Sequence, residues 1–314
     1  MLPKTVIHAD WSIHEGKRWM ATALLSPDGR YTANVPRPVP PTSILPGEWA
    51  RRAKDGGIVV GFDFPIGLPQ RYARQVGAGR FREFLQVVGT PAWRDFFRVS
   101  VREADICHRR PFFPQAPGAA GEVSQAMLLT GLGVEAKRDL LRLCEQATGS
   151  RPAAECMFWT LGPRQVGKAM LSGWSEVLLP ALLGPDKEVF RLWPFDGDLP
   201  SLAGPGSAVL LETYPGEMYG HFGVRGNNKT AQAWRREAGD RMLQWAGGAG
   251  VQVTAELRAQ LKDGFGPRRE EEDAFDAAVG LFGMLNVLLG HRDSGCPRDA
   301  GVRETEGWIL GQRG

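Results

Sequence analysis

Thr5-Val6-Ile7-His8-Ala9-Asp10-Trp11 is an apolar, β-branched run of strand length that closes on an acid. The same plan returns in Ile58-Val59-Val60-Gly61-Phe62-Asp63 and in Ser207-Ala208-Val209-Leu210-Leu211-Glu212. Runs this apolar, without polar alternation, predict strands covered on both faces, as in a sheet with helices on either side. Trp19-Met20-Ala21-Thr22-Ala23-Leu24-Leu25 predicts a second strand and residues 31–35 a third, with Pro27-Asp28-Gly29-Arg30 as the turn between them. The chain therefore opens as a β-meander. A proline-rich connection over residues 36–41 follows, then a predicted helix over 43–54 that Gly56-Gly57 ends.

From residue 70 to 187 the texture changes: strand signals thin out, and amphipathic patches over 80–88, 134–147 and 166–183 predict helices. Cys107-His108-Arg109-Arg110-Pro111-Phe112-Phe113-Pro114 reads as a loop within that stretch. Beyond it, helices are expected over 230–246, 253–261 and from Glu270 to about residue 289, then a polar loop over 290–300 and a last short segment, Glu306-Gly307-Trp308-Ile309-Leu310. The expected fold class is α/β: a mixed-sheet core flanked by helices, built from residues 1–69 and 188–314, with a helical insertion over 70–187. No internal repeat or low-complexity tract interrupts this plan.

A chain of 314 residues with 43% hydrophobic and 23% charged residues has an ordinary globular composition. No uncharged apolar stretch reaches the roughly 18 residues of a spanning helix and no signal-peptide pattern opens the chain, so no membrane role and a cytoplasmic location are expected. Cys107, Cys144, Cys156 and Cys296 are scattered, without the spacing of a zinc site, and read as reduced thiols. His8, His14, His108, His221 and His291 form no metal-ligand spacing either. The net charge of +3 is only mildly basic, and thirty of the thirty-eight basic residues are arginine. Arginine suits bidentate phosphate recognition, although a coding bias would produce the same excess.

The acids carry the chemistry. Asp10, Asp63 and Glu212 close apolar strands, and residues at one edge of an open α/β sheet line a shared crevice. In Glu270-Glu271-Glu272-Asp273-Ala274-Phe275-Asp276-Ala277-Ala278-Val279-Gly280-Leu281 the first three acids suit a helix N-terminus. Asp273 and Asp276, three residues apart beside an apolar stripe, are aimed toward the body of the protein. Each acid alone is an ordinary turn former or cap; their recurrence after apolar runs points to a shared cation. Several carboxylates in one place make an oxygen site for Mg²⁺ or Mn²⁺, and a pair of such ions can stabilise the attacking and leaving oxygens of phosphodiester hydrolysis.

Ile7-His8-Ala9-Asp10, Gly61-Phe62-Asp63-Phe64-Pro65-Ile66-Gly67-Leu68-Pro69, Leu211-Glu212-Thr213-Tyr214-Pro215, Asp273-Ala274-Phe275-Asp276-Ala277-Ala278 and Glu306-Gly307-Trp308-Ile309, in that order, resemble the landmarks of the domain-of-unknown-function family numbered 429, described as predicted RNase H-like nucleases. The resemblance implies an RNase H-like (RuvC-like) core and a divalent-metal-dependent nuclease (a hydrolase) with nucleic acid as partner. It also implies Asp10 as first-strand ligand, Asp63 as the later strand acid, Asp276 with Asp273 as the helix acids, and Glu212 as the acid of the Glu-x-Tyr-Pro motif.

Two other readings remain open at this point. Gly162-Pro163-Arg164-Gln165-Val166-Gly167-Lys168-Ala169 matches a P-loop except that Ala169 stands where Ser or Thr would bind Mg²⁺, which admits a nucleoside-triphosphate-binding ATPase or phosphotransferase. If Gly162-Pro163 instead starts a helix, Arg164 and Lys168 lie one turn apart and could take backbone phosphate; Arg109, Arg110 and Lys229 are further phosphate-binding candidates. The third reading is a non-catalytic nucleic-acid-binding protein on the same fold.

Overall fold

The computed structural model describes residues 1–115, 123–147, 152–161, 166–226, 228–268 and 271–313. Its contacts divide the chain into two compact units: Met1–Asp63, Pro180–Gly295 and Ile309–Arg313 form the first, Phe64–Leu179 and Cys296–Trp308 the second. Residues 64–69 and 296–308, which sequence division assigns to the core, thus belong by contact to the second unit.

The first unit is α/β, as the apolar runs predict. Its strands are β1 (Thr5–Asp10), β2 (Trp19–Leu25), β3 (Tyr31–Ala33), β4 (Arg37–Pro38), β5 (Ile58–Phe62), β6 (Phe190–Leu192), β7 (Ala208–Glu212) and β8 (Gln252–Val253). They form one mixed sheet in the order β6-β7-β5-β1-β2-β3-β8, with β4 pairing β2. The meander supplies the antiparallel half: Thr5 pairs Leu24 and Asp10 pairs Trp19, and Leu25 pairs Tyr31. The parallel half carries the acids, since β1 runs parallel to β5 with Ala9 opposite Phe62, and β5 parallel to β7 with Phe62 opposite Glu212. Every residue of β1, β5 and β7 is buried, which is why these runs need no polar alternation. The short pairs β4, β6 and β8 carry no periodic signal and are not readable in advance.

In chain order the helices are α1 (Leu45–Lys54), α2 (Gln70–Gln75), α3 (Phe81–Val87), α4 (Gln125–Gly131), α5 (Val166–Gly173), α6 (Leu179–Leu183), α7 (Leu199–Leu202), α8 (Pro215–His221), α9 (Gln232–Gly248), α10 (Ala255–Asp263) and α11 (Glu271–Leu288). On one face of the sheet, Trp49 of α1 meets Phe62, ring centroids 5.9 Å apart. On the other lies α11, buried all round from Ala274 to Val287 and packed on β1, β2 and α8. A helix apolar on every side belongs in a core. No described helix is long and apolar enough to cross a membrane.

The second unit holds α2 to α5. The helix expected over 134–147 is instead two 3-10 turns, Lys137–Leu140 and Leu143–Glu145. Asp139 accepts the Ala136 N–H at 3.2 Å and Glu145 accepts the Arg142 N–H at 2.9 Å, so side chains take donors that a continuous helix would use. Over 166–183 the expected helix is continuous, with a π turn at Trp174–Leu178 between α5 and α6.

Gly280 is where α11 meets β1: a Cβ there would sit 2.2 Å from the His8 ring, so only glycine permits this approach. Gly280→Ala is expected to destabilise the protein by about 1–3 kcal/mol in chemical denaturation, as overpacking does. Gly247→Ala on α9, with nothing within 4 Å of the added Cβ, is expected to be neutral or stabilising by up to about 1 kcal/mol.

Candidate metal centre

Asp10 ends β1 and Asp63 follows β5 directly, so the parallel register brings the two carboxylates side by side at one end of the sheet. The Trp11 N–H donates to Asp63 Oδ1 at 2.7 Å, tying the β1 exit to the β5 exit. Asp10, at the neighbouring strand end, is buried.

The helix acids come to the same place because His8 fastens α11 to the sheet. Its Nδ1 lies 3.2 Å from the Ala277 carbonyl and its Nε2 2.9 Å from Thr213 Oγ1. The carbonyl can only accept, so Nδ1–H donates and Nε2 accepts from the hydroxyl. Burial lowers the His8 pKa to about 3, against the small opposing effect of the Ala277 carbonyl, so the ring is a neutral bolt rather than a titrating group. Gly61, beside His8 in the register, leaves room for Thr213 and for Met284 of α11.

On α11, Asp276 is buried and Asp273, one turn back, is half-buried. Tyr219 of α8 donates to one Asp276 oxygen and Lys229 to the other. Burial raises the Tyr219 pKa first, and the charge of Asp276 raises it further, so the phenol remains a donor. Burial alone would lower the Lys229 ammonium, but Asp276, with Asp10 and Glu272 behind it, holds it above its ordinary value. Lys229 is thus an internal counter-ion of the site, not a side chain free for phosphate.

The electrostatics show an excess of negative charge. Asp10 is raised well above the carboxylate range, by burial first and then by Asp63, Asp276 and Asp273. Asp63 is raised to about 7 by burial, with Asp276 adding and the Trp11 N–H and Lys229 opposing. Asp273 is raised to about 6, again by burial first, with Glu272 and Asp276 adding against Lys229 and Lys17. Glu272 therefore belongs to this field and is more than a helix-terminus charge; its Oε2 is buried with no hydrogen-bond partner among the described residues. Glu271 pairs instead with Arg268 at 2.8 Å, and Glu270 lies outside the described residues.

Glu212 does not join the cluster. It is buried, but it pairs with Phe62, and alternation puts it on the face of Phe62 and Ala9, opposite to Asp10 and Asp63. Its carbonyl accepts the Leu310 N–H at 2.9 Å, where Ile309 forms a parallel bridge to the β7 end. Among the arginine candidates, Arg109 donates to the Ala92 carbonyl at 3.1 Å and lies over Trp93, and Arg110 donates to the Val99 carbonyl at 2.9 Å. Both belong to the second unit, as does Lys168 in the first turn of α5, and Arg164 lies outside the described residues. Gly167 of the P-loop-like run is packed against the Met157 and Trp159 carbonyls, 2.7 Å from an added Cβ.

Asp10, Asp63, Asp273 and Asp276 are hard oxygen donors that repel one another, and the buried Glu272 Oε2 near them has no hydrogen-bond partner among the described residues. As the side chains stand, no three His, Cys, Asp or Glu among the described residues close on one ion position. The donor chemistry fits Mg²⁺ or Mn²⁺; ligation requires Asp276 to exchange at least one of its present partners. Tyr219, His8 and Thr213 are positioning residues that no spacing rule singles out. Comparison with protein-family models, curated proteins and solved structures finds no match.

The raised Asp63 sets a pH dependence. A carboxyl with a folded pKa of about 7 and an ordinary value of 3.8 binds its proton more tightly when folded, so it opposes folding as pH rises from about 4 to about 7. In metal-free buffer the melting temperature is expected to fall over that window, less steeply in Asp63→Asn, and added Mn²⁺ is expected to restore part of the loss in the wild type only. Parallel pH profiles for the two proteins would refute this assignment.

Proposed function

We propose that this protein is a divalent-metal-dependent phosphodiesterase acting on nucleic acid, built on an RNase H-like core. The observation that carries the reading is the meeting of Asp10, Asp63, Asp273 and Asp276 at one end of the sheet. The finer fold reading is supported by the order in which acids arrive: one on the first strand, one after a parallel strand beside it, and two on a late helix.

In this reading Asp10, Asp63, Asp273 and Asp276 hold Mg²⁺ or Mn²⁺. The bound ion would polarise the scissile phosphate and supply hydroxide from water at neutral pH. The chain's own contribution is to keep four carboxylates together in spite of their repulsion. His8 fixes α11 on β1 through Ala277, and the Trp11 N–H orients Asp63. Tyr219 and Lys229 hold Asp276 until ligation competes for its oxygens. Asp10 and Asp63 hold protons more tightly than ordinary carboxyls and must lose them to ligate, so metal binding is expected to release protons.

The Lys229 pair also favours a second reading, a nucleic-acid-binding protein whose acids are neutralised internally and which cuts nothing. The two separate in one experiment. Purified protein is incubated with single-stranded, duplex, branched and RNA–DNA hybrid substrates, with Mn²⁺, Mg²⁺ or EDTA. Cleavage is expected with the metals alone, and Asp10→Asn is expected to lower it by about 100-fold or more, at least the cost of losing a partner behind a metal ligand. No cleavage of any substrate, together with unchanged nucleic-acid binding by Asp10→Asn, would favour the second reading.

A further inference from the structure

Within the second unit a cavity of about 390 Å³ opens between α2, the turn Lys137–Leu140 and the turn Val302–Glu306. That size lies inside the roughly 300–1,000 Å³ of small-ligand clefts. Arg71 and Arg74 stand three residues apart on α2 and face it from one side, and Arg138 faces it from the other. Arg74 is steadied by Gln70 Oε1 at 2.8 Å. Arg71 and Arg138 are exposed, and neither guanidinium has a hydrogen bond or ion pair among the described residues.

Two acids share the lining, and both are turned to backbone donors. Asp139 accepts from the Ala136 N–H; Glu306 accepts the Gln70 N–H at 3.2 Å and the Leu143 N–H at 2.6 Å. Three guanidiniums against these two carboxylates leave the cavity a net cationic lining. Its apolar part is Leu141, Leu143 and Val302, with Leu143 50% exposed.

The wall is rigid. Arg142, fully buried, donates to the carbonyls of Ile66 and Glu306 at 3.1 Å each and to Glu145 Oε1 at 2.9 Å. A buried ion pair is weak evidence for stability, but it fixes geometry. Here it locks the chain between Arg138 and Leu143 against Glu306, so the cationic and apolar parts of the cavity keep their spacing.

We propose that this cavity binds a nucleotide: the phosphate on Arg71, Arg74 and Arg138, whose planar forks match phosphate oxygens, and the sugar and base over Leu141, Leu143 and Val302. A free nucleotide and a nucleotide within a strand present the same chemistry to this cavity. The site stands apart from the carboxylates in residues and in unit, and needs no metal.

The test is binding in EDTA at low ionic strength, by calorimetry for adenosine monophosphate and inorganic phosphate and by fluorescence anisotropy for a short single-stranded oligonucleotide. The wild type is expected to bind the monophosphate or the oligonucleotide more tightly than inorganic phosphate. Arg71→Ala/Arg138→Ala is expected to weaken that binding by about tenfold or more, as loss of charged donors does, with an unchanged melting temperature because both side chains are exposed. Arg71→Lys/Arg138→Lys is expected to fall between, and Asp10→Asn to bind as the wild type does, which separates this site from the phosphodiesterase reading. Binding of the oligonucleotide alone would assign the site to a strand, and binding of the monophosphate to free nucleotide. Equal affinity for inorganic phosphate, no binding of any of the three, or full binding by the alanine variant would overturn the proposal.

Discussion

Carboxylates repel one another, and a fold that holds several together must supply what keeps them there. In this protein that work falls largely on His8, a neutral imidazole buried between three elements, with one nitrogen on the Ala277 carbonyl of α11 and the other on the Thr213 hydroxyl beyond β7. Burial lowers its pKa to about 3, so it adds no positive charge to the acids. It acts by position. With α11 fixed on β1 at Gly280, Asp273 and Asp276 are held near Asp10 and Asp63, and burial first, with the neighbouring carboxylates adding, raises the carboxyl pKa values.

The same packing explains which parts of the fold were legible in the sequence. β1, β5 and β7 are buried on both faces and therefore apolar throughout, so their runs announce them. α1, α9, α10 and α11 are long enough for period and end signals to accumulate. β4, β6 and β8 are two or three residues long, and pairing alone defines them. Residues 134–147 have helical periodicity, but Asp139 and Glu145 capture backbone N–H groups locally, and an interaction of that kind has no periodic trace.

At the site, strand-end position located Asp10 and Asp63, and helix spacing located Asp273 and Asp276. Glu212 has the same local context as Asp63 and a different outcome, because one step of register changes the face: Asp63 follows Phe62, whereas Glu212 lies opposite it. That parity depends on the pairing of β5 with β7, which a single strand cannot reveal. Glu272, Tyr219 and Lys229 were hard to assign for the reverse reason, since their importance comes from what is packed beside them. By sequence Glu272 is a helix-terminus acid and Lys229 a phosphate candidate; in the fold Asp276 is the partner of Lys229.

Lys229 and the carboxyl protons answer the same electrostatic demand. A buried carboxylate cluster without enough cations can retain protons, recruit an internal ammonium or bind a metal. Asp10 and Asp63 hold their protons more tightly than ordinary carboxyls, chiefly through burial, and Asp276 takes Lys229 and the Tyr219 hydroxyl, so the first two responses both operate here. Neither reaches Glu272 Oε2, which is buried without a hydrogen-bond partner among the described residues. In the proposed reading Asp10, Asp63, Asp273 and Asp276 would hold a divalent cation in place of retained protons and of the Lys229 ammonium. In that reading the energetic cost of assembling these acids would become part of the driving force for binding the ion. Lys229, on the α8–α9 connection, is held at its tip by Asp276 and only partly buried, with 34% of its side chain exposed, and shares no hydrogen bond with the His8 bolt among the described residues. The rigid part of the site is thus the part that sets where the carboxylates stand, and the exchangeable part is the positive charge between them.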